Sequence, residues 1–225
     1  MDLTDATLSG ADLTGADLYQ ATLTSADFSG SNIAAAQLQA AASVTGVDLT
    51  DNDMADFDLS NLDLSSAILS STNLTNAELV QAKLSGASLT DANLSGADLT
   101  GTKFTDANLS GARFSGSNVT EGQIRSAANL TGVDLSRHDM RWWNLSDLNL
   151  ANANLTDGEL QKANLTGTDL TNADLENGIL RVVDLTDATL MGADLTGADL
   201  YQATLKGVTL TAADLKGSNI TAKQL

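Results

Sequence analysis

An apolar residue recurs at every fifth position from Leu3 to Leu225, 45 times in all, and 35 of those residues are leucine. The others are Phe28, Ile33, Val44, Met54, Phe104, Phe114, Val119, Ile124, Met140 and Ile220. Neither ordinary element has this period. A helix repeats near 3.6 residues and a strand at 2. A five-residue unit fits a solenoid in which each unit forms one side of a coil. One unit cannot bury its own leucine, and stacked neighbours do it together.

The residues around each apolar position i support that reading. At i−2, 33 of the 45 units carry Ala, Ser, Gly or Thr. Asp, Asn and Thr dominate at i−1, Ser and Thr at i+1, and Gly, Asp or Asn recur at i+2. A narrow interior wants one large and one small residue per side. Asp, Asn and Ser at corners hydrogen-bond nearby backbone, and Gly or Asn accepts a positive φ.

With units such as ADLTG, ANLSG and ADLYQ throughout residues 1–225, the sequence resembles the pentapeptide repeat proteins, whose consensus is A(D/N)LXX. The resemblance implies an all-β fold, a right-handed quadrilateral parallel β-helix with four units to a coil. It also implies roughly eleven coils in a single domain, a column on the order of 50 Å long at a strand spacing of about 4.8 Å.

The register slips by one residue twice, from Leu38 to Val44 and from Ile124 to Leu130. The surroundings match: SGSNIAAAQLQAAASVTGVDLT against SGSNVTEGQIRSAANLTGVDLS, with a third start, KGSNITAKQL, at the end of the sequence. AAAQLQAAAS and TEGQIRSAA are good helix formers, which predicts a short helical turn or bulge at 34–43 and 120–129. TAKQL either closes the C-terminal end in the same way or marks a cut point. A second duplication pairs residues 2–23 with 184–205, identical at 21 of 22 positions.

After each slip the i−2 residues become large for one coil: Val47, Asn52, Phe57 and Leu62, then Val133, His138, Trp143 and Leu148. These are expected to point inward and to form a widened coil, with Phe57, Leu62, Trp143 and Leu148 as its core.

The chain has no Cys and no Pro, which excludes disulfides, thiolate metal sites and a Cys nucleophile. No P-loop, dinucleotide fingerprint, zinc spacing or nucleophile elbow occurs. No residue is therefore assigned to catalysis, a cofactor or a metal, and the chain reads as a noncatalytic protein. The opening MDLTDATLSG is repeat already, so no signal peptide is expected. No apolar run approaches the ~18 residues of a membrane helix. The expectation is a cytoplasmic protein without membrane contact.

The net charge is −18 and unevenly spread. Residues 1–82 hold twelve acidic and no basic groups, and residues 83–225 hold seventeen acidic and eleven basic. Phosphates would be repelled, which disfavours direct nucleic-acid binding. The charge serves solubility, or a basic protein partner. Some members of the resembled family imitate duplex DNA and bind type II topoisomerases such as gyrase. By that resemblance Asp12, Asp17, Asp27 and Asp48 would belong to an acidic mimic face.

The most unusual segment is LSRHDMRWWNLSDL, 135–148, with the only His and both Trp residues. Its counterpart 86 residues earlier is LTDNDMADFDLSNL. By register Trp142 faces outward, beside Arg137 and Arg141 in place of Asp51 and Ala55. Arg and Trp are enriched at interface hot spots, so Arg137, Arg141 and Trp142 form a candidate partner contact. Open coil ends near Leu3 and Leu225 predict a homodimer by end stacking, or one through the Trp142 region. The favoured function is an interaction scaffold for an unidentified protein partner; the alternative is the topoisomerase-binding DNA mimic.

Overall fold

Each five-residue side closes a turn and then hands its backbone to the coils above and below. In the computed structural model, which describes residues 1–224, this pattern builds two compact units, 1–129 and from Leu130 onward. Leu225, the last expected apolar position, lies outside the described residues. The N–H of residue i+3 closes each turn onto the carbonyl of i, as in Ala67 to Leu64 at 3.0 Å. The N–H of i donates one way to the next coil, as in Leu64 to Lys83 at 2.8 Å, and that of i−1 donates the other way, as in Asn73 to Asn52 at 3.0 Å. The result is a set of isolated parallel bridges between residues 20 apart. In the first unit one ladder runs Asp48, Ile68, Ser88, Asn108; in the second one runs Asp134, Asn154, Asp174, Asp194, Asp214.

The turn explains the preference at i+2. That residue takes a left-handed conformation, with φ of +67° at Gly86 and +55° at Asn76. It is the third position of a type II turn, where Gly and Asn fit and a Cβ-branched residue strains. Two bulky residues nonetheless occupy it in the second unit, Trp142 at +68° and Val182 at +58°.

The core follows the expected register. Leu49, Leu64, Leu84, Leu145, Leu160 and Leu175 are fully buried, as are small i−2 residues such as Ala77 and Ala163. The buried threonines at i−2 keep their hydroxyls satisfied, as buried polar groups must. Thr72, Thr102 and Thr168 donate to the carbonyls of Leu49, Leu79 and Leu145 at 2.9, 2.7 and 2.8 Å.

Both slips are short helices, α1 (Ala35–Ala40) and α2 (Glu121–Ser126). Each lifts one side of a coil off the ladder, and the bridges across it change register from 20 to 21, as in Asp27 to Asp48 and Asn108 to Asn129. The backbone groups left behind are met by side chains. In the first unit the N–H of Leu13 finds Asn32 Oδ1 at 2.6 Å, and Gln37 Nε2 donates to the carbonyls of Leu13 and Ala16, both at 2.9 Å. The same clamp recurs at α2. Leu99 N–H donates to Asn118 Oδ1 at 2.6 Å, and Gln123 Nε2 reaches the carbonyls of Leu99 and Thr102 at 2.7 and 3.0 Å. A third copy sits in the second unit, where Asn219 accepts from Leu200 and Gln224 donates to Leu200 and Ala203. Residues 221–224 thus make the same local closure as the two slips, with Thr221 Oγ1 donating to Gln224 Oε1 at 2.7 Å.

The large i−2 residues after each slip divide into two groups. Val47, Asn52, Val133 and His138 are buried, whereas Phe57, Leu62, Trp143 and Leu148 are half-buried. The inward direction set by the register does not provide the room. With a large residue at i−2 most of the turns open: their closing bonds run 3.4 Å at Leu62 and Leu148 and 3.3 Å at His138, against 2.9 Å at Ala82. No helix among the described residues is long and apolar enough to cross a membrane.

Candidate partner-contact surfaces

The outward residue of each side is i−1, and where it is Asp its side chain is tied to its own turn, whereas Asn32, Asn118 and Asn219 accept from the neighbouring coil. Asp12 Oδ1 accepts from the Thr14 N–H at 3.0 Å, from the Thr14 hydroxyl at 2.6 Å and from Asn32 Nδ2 at 2.7 Å. Asp27 accepts from the Ser29 N–H and hydroxyl, Asp17 from the Tyr19 N–H, and Asp48 from the Thr50 N–H. The carboxylates of the flat faces therefore double as turn caps, which is why Ser and Thr follow at i+1.

At Asp12 and Asp27 these bonds favour the ionised carboxyl. The Thr14 hydroxyl, then the Asn32 amide, bring Asp12 down to about 2. Asp27, Asp98 and Asp194 are lowered as well, first by the hydroxyls of Ser29, Thr100 and Thr196. A carboxyl whose folded pKa lies below its unfolded value stabilises the fold above the unfolded pKa, and that contribution disappears as pH falls through the folded one. Thermal midpoints are therefore expected to be flat from pH 7 to about pH 4 and to fall steadily from about pH 4 to pH 2. Circular dichroism melts across that range check it. A midpoint at pH 2.5 equal to that at pH 7 would show that these caps carry no stability.

The four acidic residues expected to share a face lie on three. Asp27 and Asp48 stack directly in one ladder with Thr7. Asp12 belongs to the ladder of Asn32, and Asp17 to the following side. Residues five apart sit on adjacent sides; only residues 20 or 21 apart stack. An unbroken carboxylate ladder does occur in the first unit, Asp58, Glu78 and Asp98. Among the described residues no group of His, Cys, Asp and Glu is arranged to hold a metal ion.

In the second unit Trp142 points outward and is 68% exposed. Lys162, one coil on, lies over its ring at 4.0 Å, a cation–π contact between side chains. Arg141 is fastened to Asp139, with Nε to Oδ1 at 2.7 Å, and lies 3.4 Å from Glu159. This guanidinium, above all by hydrogen bonding, brings Asp139 down to about 2. Arg137 stands on the opposite edge of the same face and pairs with Asp157 at 3.5 Å. The face thus separates Arg137 from Arg141 and Trp142. Trp143, next in sequence, turns inward and is half-buried. His138 is buried with Nδ1 3.4 Å from the Ser136 carbonyl, and its Nε2 has no protein partner.

Period-five reasoning located all these residues but missed the clamp residues Asn32, Gln37, Asn118, Gln123, Asn219 and Gln224. The available signal was the Asn followed five residues later by Gln in all three matching segments.

The model of the pentapeptide repeats matches residues 2–39, 42–81, 82–120, 144–181 and 184–221. The chain belongs to the pentapeptide repeat family. Its members fold as right-handed β-helices, in keeping with the parallel ladders. Among solved structures the chain is similar to HetL, a pentapeptide repeat protein involved in heterocyst differentiation regulation from the cyanobacterium Nostoc sp. strain PCC 7120. Identity is 31%, coverage 97% of this chain and 84% of that one, and the TM-score 0.46. It is also similar to QnrB1, a plasmid-mediated fluoroquinolone resistance protein, at 19% identity, covering 89% and 91% with a TM-score of 0.36. A pentapeptide repeat protein of the Arabidopsis thaliana thylakoid lumen shares 28% identity, covering 60% and 70% with a TM-score of 0.18. No curated protein matches significantly.

Proposed function

We propose that the protein is a noncatalytic cytoplasmic scaffold for protein–protein contact, one domain of roughly eleven coils over residues 1–225. The observation that carries this reading is the fixed outward presentation of the i−1 residues. Asp and Asn side chains stand in rows one coil apart, bonded to their own turn or to the next coil, so a partner meets a surface whose ordering cost is largely met. Arg137, Arg141 and Trp142 are the candidate contacts in the second unit. Each Arg is held by a carboxylate and Trp142 by Lys162.

A second reading draws on the first unit. The Asp58, Glu78 and Asp98 ladder lies in a region whose first 82 residues carry no cation. Such a field suits a partner with a basic groove, and an acidic DNA mimic acting on gyrase or another type II topoisomerase is the form it would take.

A gyrase supercoiling assay separates the two. The scaffold reading expects unchanged supercoiling at micromolar protein, with and without a quinolone. Inhibition or quinolone protection that disappears in the Asp58→Asn, Glu78→Gln, Asp98→Asn variant would replace the scaffold reading with the mimic. The scaffold reading itself is checked with a photo-crosslinker at Arg137 in lysate of the native host. One protein adduct of discrete mass, lost in Arg141→Ala, is expected, and a diffuse ladder of adducts would count against it.

A further inference from the structure

One edge of the second unit gathers large residues that the equivalent edge of the first unit lacks. The edge is formed by Arg141 and Trp142, Gln161 and Lys162, Arg181 and Val182, and Tyr201 and Gln202. These pairs stack one above another, as the backbone bonds from Trp142 to Gln161, Lys162 to Arg181 and Val182 to Tyr201 show. Three exposed large apolar residues gather here, Trp142, Val182 and Tyr201 at 68, 45 and 57% exposure. The equivalent edge of the first unit, 86 residues earlier, is Ala55 and Asp56, Thr75 and Asn76, Ser95 and Gly96, Ser115 and Gly116. All of those are small or polar. The fold therefore has no need of bulk on this edge. It also bears a backbone cost, because Trp142 and Val182 occupy left-handed positions that favour Gly or Asn.

The charge pattern names the occupant. A chain of net charge −18 repels its own copies over most of its surface. This edge carries less of that repulsion, because its cations offset the carboxylates beside it. Arg141 pairs with Asp139 and Glu159, Arg181 with Asp199, and Lys162 lies over Trp142. Two copies can approach here with less of the repulsion they meet elsewhere. The edge is also self-complementary under a two-fold axis. Laid antiparallel, it sets Trp142 in the first of four coils against Tyr201 in the fourth, and Lys162 in the second against Val182 in the third. A contact that reads the same from both sides is the form a symmetric dimer requires.

We infer that this edge is a homodimer contact in which Trp142 of one copy packs against Tyr201 of the other. The inference rests on the scaffold reading only in taking Trp142 as a contact residue. It differs from end stacking, which leaves Trp142 and Tyr201 of the two copies apart. The contact is small and its cations are already engaged within each copy, so a dissociation constant in the micromolar range is expected, little weakened by salt.

The full chain is measured by sedimentation velocity from about 1 to 200 μM, concentrations that bracket a micromolar constant. The expected result is a rise from monomer to dimer mass that persists at high salt. Trp142→Asp places at this left-handed position the residue found at Asp56, so it keeps the fold, and it should weaken dimerisation at least tenfold, as should Tyr201→Asp. The chain has no cysteine, which permits a geometric check. Trp142→Cys mixed with Tyr201→Cys should form a disulfide-linked pair under mild oxidation, while Trp142→Cys alone should not. About three coil steps, on the order of 14 Å, separate the two residues along the edge. Monomer mass at every concentration, dimers indifferent to Trp142→Asp, or equal cross-linking by Trp142→Cys alone would overturn the inference. None of these results bears on the photo-crosslinking of a different protein, so the scaffold reading stands or falls separately.

Discussion

Gln123→Ala is expected to destabilise the first unit by about 2–4 kcal/mol, the cost of leaving two part-buried carbonyls without a donor. The side chain bridges from α2 back to the coil it has left. Its Nε2 serves the carbonyls of Leu99 and Thr102 at 2.7 and 3.0 Å, and its Oε1 accepts from the N–H and hydroxyl of Thr120. Alanine keeps helix propensity, so the loss belongs to the clamp and not to the helix. Asn118→Ala removes the other half, the acceptor for the Leu99 N–H. Because the two side chains restore one interrupted ladder, the double variant should cost less than the sum of the singles. Urea unfolding followed by far-ultraviolet circular dichroism gives the free energies, and hydrogen exchange at Leu99 to Thr102 gives the location. A Gln123→Ala variant within 0.5 kcal/mol of the parent, roughly the scatter of neutral surface changes, would mean that water satisfies the lifted carbonyls.

That clamp marks where sequence reasoning stopped. The leucine register was legible because one position in five carries the whole core, and the structure buries it in both units. The slips were legible because the interval breaks there in two matching segments, and α1 and α2 fall within the expected spans. Asn32 was not, because Asn at i−1 looks like the ordinary face residues that surround it, and Gln37 was passed over although Gln stands at i−1 only in the three matching segments. Only the loss of a backbone partner gives them a task. Phe57 and Trp143 show a different limit. Register decides which way a side chain starts from the backbone, but the width of the coil decides whether it fits. The acidic residues show a third. Asp12 and Asp17 are neighbours in sequence and lie on different sides, whereas Asp58 and Glu78 are distant and stack. A count of charge along the chain is not a map of charge on a face. The edge of Trp142, Val182 and Tyr201 emerges only when residues 20 apart are placed together.

Phe104→Ala is expected to have the largest effect of any single change in the first unit, about 3–5 kcal/mol. Phe104 and Phe114 are fully buried and meet edge to face, with centroids 6.1 Å apart and planes at 81°. The size of the loss follows from how the interior is walled. Each side of the coil is fixed by bonds to its neighbours, such as Lys103 N–H to the Ala82 carbonyl and Leu84 N–H to the Lys103 carbonyl, at 3.0 and 2.9 Å. A wall held this way cannot move in to fill a hole, so the cavity term stays in full. Phe114→Ala should cost a similar amount. The double variant should reveal a coupling of about 0.5–1.5 kcal/mol from the lost ring contact. The first coil provides the contrast. Leu3 is half-buried, and Leu3→Ala should cost about 1 kcal/mol or less because little apolar area leaves the interior. Global unfolding of a repeat chain need not be two-state, so hydrogen exchange of amides in residues 84–114 is the deciding measurement. If Phe104→Ala and Leu3→Ala cost the same there, the backbone ladders do not hold the walls in place, and the stacked-coil account of this core fails with them.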